Sequence, residues 1–160
     1  MRRTTLLRAI ALGLIATTTS IGLAIATPGV GAVGTTFARG TLDAGVKVLN
    51  GDLQLKTRSD IDAVTQSIVI APGGTTGWHS HPGPVLVTIV AGTMAFYPAN
   101  DPNCAAIIYE TGDTFVDRGG GNVHTARNEG ATDLVLWATY LVPVGAGVRT
   151  DASDPGTCPF

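Results

Sequence analysis

What this chain has little of narrows its class first. Only 14% of its residues are charged, the formal net charge is -2, and no run of like charge occurs. The dense basic stripe that grips a nucleic-acid backbone is therefore missing, and nucleic acid is excluded as a partner. No serine sits in a nucleophile-elbow pattern, and no glycine-rich loop has the form of a phosphate cradle. Neither of the two cysteines has a histidine near it in sequence, so the common nucleophilic and nucleotide-binding readings fall away. Past residue 26 the apolar residues nowhere keep a helical period for three turns. What is present is length and apolar content: 160 residues, 44% of them hydrophobic, suffice for one domain with a buried core.

The first residues read as an address rather than as fold. Arg2, Arg3 and Arg8 precede an apolar stretch from Ala9 to Ala26, and Ala24-Ile25-Ala26 has the small residues of a signal-peptidase site. Val30-Gly31-Ala32 is a second acceptable site, so the mature chain is expected to start between Thr27 and Val33. Residues 1–32 are thus assigned to a signal helix and the mature N-terminus, as in a secreted bacterial protein. The alternative is an uncleaved anchor, which the polar residues Thr17 to Ser20 in the middle of the stretch disfavour. Arg2-Arg3 also fits the twin-arginine route. After cleavage no stable membrane span is expected. In an oxidising compartment two cysteines pair more readily than they stay free, so a disulfide between Cys104 and Cys158 is expected to tether the tail, residues 145–160. That tail is expected along the surface, away from the histidines.

Turn signals recur through the remainder: Asn50-Gly51, Pro72-Gly73-Gly74, Pro82-Gly83-Pro84, Ala91-Gly92, Gly112-Asp113 and Asn128-Glu129-Gly130. Between them stand short β-branched or apolar runs, with weakly alternating strands over Thr35 to Ser59 and firmer ones at Ala63 to Ala71, Val85 to Val90, Thr93 to Tyr97, Ala106 to Tyr109, Thr114 to Val116 and Leu134 to Val142. The chain is all-β. Val85 to Val90 is apolar at both parities, which predicts a strand buried on both faces in a closed or double-layered sheet.

The chemistry gathers on the chain's three histidines. On a strand, His79 and His81 point one way while Trp78 and Ser80 point the other. Two neutral imidazoles side by side make half of a site for a divalent transition metal, and His124 is the candidate third ligand. Glu110, Asp113 and Asp117 read as turn residues, and Arg127, at odd spacing from His124, falls on the opposite face of its strand. Tyr97, Tyr109 and Tyr140 read as core positions or as substrate contacts.

These residues resemble the cupins. Gly73, His79, His81 and Gly92 fall on that family's first motif; Gly112, Gly121, His124 and Asn128 fall on its second, with Gly119 where proline is usual. The resemblance implies a small jelly-roll β-barrel over residues 33–144 and a metal site on His79, His81 and His124. Where the family has a glutamate ligand this chain has Val85; Asp117 and Gln66 are carboxylate or amide groups that could substitute. Val85, Val87 and Ile89 would line the pocket on that side. The metal implied is Fe, Mn, Ni, Cu or Zn, and the partner a small-molecule ligand or substrate, with a homodimer compatible. Two functions stay open: a secreted metal-dependent dioxygenase or isomerase, and a non-catalytic cupin that binds a small molecule or a metal.

Overall fold

The computed structural model describes residues 26–160; the expected signal segment lies outside the described residues up to residue 25. Among the described residues there is no helix, and none is therefore long and apolar enough to cross a membrane. The strands are β1 (Val30–Leu42), β2 (Lys47–Asn50), β3 (Leu53–Lys56), β4 (Ile61–Thr75), β5 (His79–Ser80), β6 (Val85–Ala91), β7 (Thr93–Pro98), β8 (Ile107–Glu110), β9 (Thr114–Asp117), β10 (His124–Arg127), β11 (Leu134–Pro143) and β12 (Thr150–Asp151). All but β2 and β3 belong to one antiparallel sheet, which folds into a nearly closed barrel. One wall runs β1-β4-β11-β6-β9 and the other β12-β5-β10-β7-β8. The walls join where Thr75 at the end of β4 meets Arg127 of β10.

Period-two alternation builds the core between the walls. Leu134, Leu136, Ala138, Tyr140 and Val142 of β11 are buried, with Val64, Ile68 and Ile70 of β4 beside them. Burying each such aliphatic side chain is worth about 1.5–3 kcal/mol relative to exposure. On β6, Val85, Val87 and Ile89 face in. Their neighbours Leu86 and Val90 are 48% and 47% exposed, so this strand is buried on one face only, contrary to its apolar composition. Among the described residues no outer layer covers that second face.

Three further differences bear on the site. The short strands around Asn50-Gly51 are present as the β2–β3 hairpin, but β1 before them is thirteen residues long and pairs along β4 from Leu42↔Ile61 to Val30↔Thr75. β4 does not stop at Pro72. Its register with β1 shifts between Val30 and Ala32, and the Gly73 N–H turns away to the Asn128 carbonyl at 2.9 Å. A proline is tolerated at such an irregularity because the ladder has no bond to lose there. The tail contributes β12, which pairs with β5. A second apolar cluster, Trp78, Ala95, Tyr97 and Cys158, forms outside the second wall. There Cys104 and Cys158 are joined, their α-carbons 5.2 Å apart.

Candidate metal centre

β5 is only two residues long, yet it is held on both sides. His124 of β10 lies directly across from His79, and Asp151 of β12 pairs with His79 from the other side. His79, His81 and His124 are all buried, and one nitrogen of each ring lies within 4.8 Å of a nitrogen of the others. Ring centroids are 4.8 Å apart for His79 and His81, 4.5 Å for His79 and His124, and 5.2 Å for His81 and His124. Trp78 points away into the second cluster, as strand alternation requires. Tetrahedral bonds of about 2.0–2.1 Å ask for ligand nitrogens about 3.3 Å apart, and the nitrogens here lie within 4.8 Å of one another.

The proton positions follow from the hydrogen bonds. Nδ1 of His79 lies 2.8 Å from the Gly77 carbonyl, Nδ1 of His81 2.6 Å from the Val148 carbonyl, and Nδ1 of His124 3.1 Å from the Asn122 carbonyl. A carbonyl oxygen only accepts, so each Nδ1 carries a hydrogen and each Nε2 keeps its lone pair. Burial pushes the acidity the same way. It brings His79 down to about 2 and His124 to about 4, and it lowers His81 as well. The three rings are therefore neutral at physiological pH and ready to ligate without losing a proton.

Asp117 is no mere turn residue. Its Oδ1 accepts the Gly119 N–H at 2.6 Å, closing the bend, while its Oδ2 lies 3.1 Å from His124 Nδ1. A carboxylate behind a ligand imidazole fixes the ring and raises its basicity, and such partners are commonly worth 10–100-fold in metal affinity. Val85 stands opposite Asp117 in the β6–β9 pairing. Val85 and Val87 line a small inner cavity with the three histidines, Tyr140, Phe96 and Phe115; Ile89 is buried deeper in the core. Gln66 lines a neighbouring cavity, its amide nitrogen committed to Thr36 Oγ1 at 2.7 Å. Arg127 instead lies over the Phe160 ring, 3.9 Å from its centroid. Tyr97 donates to Glu129 at 2.7 Å outside the site, and Tyr109 stacks on Phe115.

Sequence reasoning missed the tail. Instead of running away from the histidines, it supplies the Val148 carbonyl that orients His81 and the β12 residues that flank β5. Nothing in its polar, glycine-containing sequence signals this, because the contact is made by backbone. Two motif residues have structural roles. Gly119 has φ 62°, and a Cβ there would sit 2.0 Å from the Gly83 carbonyl oxygen, so neither proline nor another side chain fits. The Asn128 amide donates to the carbonyls of Ile70 at 2.7 Å and Thr132 at 2.8 Å, pinning the turn before β11.

Residues 66–142, which carry all three histidines, match the model of the Cupin_2 family, the cupin domain. That match covers just under half of the chain. Among solved structures this chain is similar to a double-stranded β-helix protein of Klebsiella pneumoniae, 23% identical over 57% of this chain and 75% of that one, with a TM-score of 0.48. It is also similar to a cupin-like protein of Thermotoga maritima, 24% identical over 57% and 65% of the two chains, TM-score 0.47. A cupin superfamily protein of Desulfitobacterium hafniense is 11% identical over 69% and 77%, TM-score 0.47. No curated protein matches the chain.

Proposed function

We propose that this chain is a secreted cupin-type metalloprotein that holds one divalent transition metal on Nε2 of His79, His81 and His124 and acts on a small molecule beside it. One observation carries the reading: all three Nδ1 atoms are committed to backbone carbonyls, which leaves three free Nε2 lone pairs in one buried cluster. Three neutral nitrogens suit Fe, Mn, Ni, Cu or Zn, and the absence of an anionic ligand at Val85 shifts preference away from hard cations. Bound there, the metal would supply Lewis acidity and open positions for an oxygen ligand. The protein's own part is to orient the rings, to keep them unprotonated and to line the space with Val85, Val87 and Phe96.

Chemistry of a dioxygenase or isomerase type is the first reading. No general base stands free in the inner cavity, since Asp117 is already bound to His124 and Gly119. Elemental analysis after reconstitution should find about one metal per chain in the parent and a loss of most of it in His81→Ala. Equal metal content in the two would sink the site. Oxygen uptake with diketone or phenolic compounds then separates a catalyst from a binder.

A further inference from the structure

We propose that a leader peptidase cuts the exported chain between Ala26 and Thr27, and that Thr27, as the mature N-terminus, clasps the strand of His79 to the tail. The proposal rests on the secreted part of the reading above and is independent of the metal.

The sequence offers two cleavage points, after Ala26 and after Ala32, and the contacts around Thr27 separate them. The Thr27 N–H donates to the Ala152 carbonyl at 3.0 Å, and its Oγ1 donates to the same carbonyl at 3.2 Å. That Oγ1 also accepts the N–H of Trp78, the residue before β5, at 2.8 Å. The circle closes where the Ala152 N–H donates to the Trp78 carbonyl at 3.0 Å. Trp78 is 3% exposed, so without Thr27 its N–H would be left buried and unpaired, which is costly. The facing backbone is shaped for this contact. Gly77 has φ 69°, and a Cβ on it would lie 2.2 Å from the Thr27 carbonyl oxygen and 2.8 Å from Pro28, an approach only glycine permits. Val30 and Ala32 belong to the β1 ladder, paired with Thr75 and Ile70 of β4, and Ala32 packs on the core. Cutting after Ala32 would remove the clasp and the start of that ladder. Ala26, opposite Ser153 in an isolated bridge, is exposed and precedes every bond of the clasp. Hydrolysis there breaks the Ala26–Thr27 peptide bond: the hydroxyl of water goes to the Ala26 carbonyl carbon and its proton to the Thr27 nitrogen. The new amine keeps its donors for Ala152 and, when charged, donates more strongly.

The test is to export the full chain from a bacterial host and measure the intact mass of the product. That mass should correspond to Thr27 as the first residue. A product starting at Val33 would overturn the proposal while leaving secretion standing, and a chain that keeps its leader would overturn both. The clasp is read on three variants exported in the same way. Thr27→Val, which keeps the shape and loses the hydroxyl, should speed amide exchange at Trp78 at least tenfold and lower the melting temperature, and Thr27→Ser should restore both. Deleting residues 27–32, so that cleavage leaves Val33 first, should lower the melting temperature by at least about 5 °C. Exchange at Trp78 and melting equal to the parent's in Thr27→Val would overturn the clasp. If the deletion does not fold, Thr27→Val and Thr27→Ser decide on the same criteria. Mass, exchange and melting are all read without a bound metal, so failure of the metal reading leaves this test unchanged.

Discussion

Val85 stands where the cupin resemblance calls for a glutamate, and its surroundings say what that difference does. It is 1% exposed, lines the inner cavity with the three histidines, and faces Asp117 across the β6–β9 pairing. A carboxylate placed there would meet Asp117 as a like charge, which disfavours having both ionised. A divalent metal held by the three histidines would offset that penalty. Val85→Glu should therefore tighten metal binding, by about tenfold or more, yet lower the melting temperature of the metal-free protein. Competition with a chelator and parallel thermal melts measure the two effects. An unchanged affinity in a folded variant would mean that this side chain does not reach the metal position.

The tail is the element whose role changed most between sequence and structure. Cys158 bonds Cys104 across a separation of 54 residues, for which loop-closure entropy gives about 4 kcal/mol as an upper figure. Reduction should lower the melting temperature accordingly. Because the same tail carries Val148, whose carbonyl orients His81, and β12, which flanks β5, the bond does more than stabilise. Phe160 stacks on Trp78, the residue before His79, with 6.4 Å between ring centroids, so both ends of the tail bear on the site. Cys158→Ser should weaken metal binding several-fold as well as lower stability. Metal affinity equal to that of the parent, with melting lowered, would show that β12 stays docked without its tether.

At the scale of the whole molecule, Asp62 ties the barrel's opening strand to its closing loop. It is 3% exposed and accepts from Arg39 of β1 at 2.5 Å, from Thr41 at 2.9 Å and from the Gly145 N–H at 3.0 Å. Arg39 also reaches the Ala146 carbonyl at 2.8 Å, so the start of the tail hangs on this cluster. The Gly145 N–H first, then Thr41 and Arg39, holds the Asp62 carboxyl below its ordinary value. With the folded value below the unfolded one, this contribution is complete above about pH 4, the unfolded carboxyl range. It fades as pH falls through the folded value. Asp62→Asn should accordingly melt lower than the parent at pH 7, and the gap should close as the pH is lowered toward 3. A gap that stays constant over that range would mean that the charge is not what the cluster uses.

The sequence by itself determined the period-two strands, the turn positions, the facing pair His79 and His81, and the candidacy of His124, because each of these follows from local alternation or from a motif. It also determined the Cys104–Cys158 pairing, since only two cysteines were available. Only the tertiary structure decided that Asp117 stands behind His124, that the Val148 carbonyl meets His81, and that Leu86 and Val90 face out. The physical reason is that these depend on pairings between distant strands. A backbone carbonyl has no residue-type signature, and a glycine-flanked aspartate reads as a turn whether or not its second oxygen meets a histidine. An apolar strand, likewise, does not record which of its faces the fold leaves uncovered.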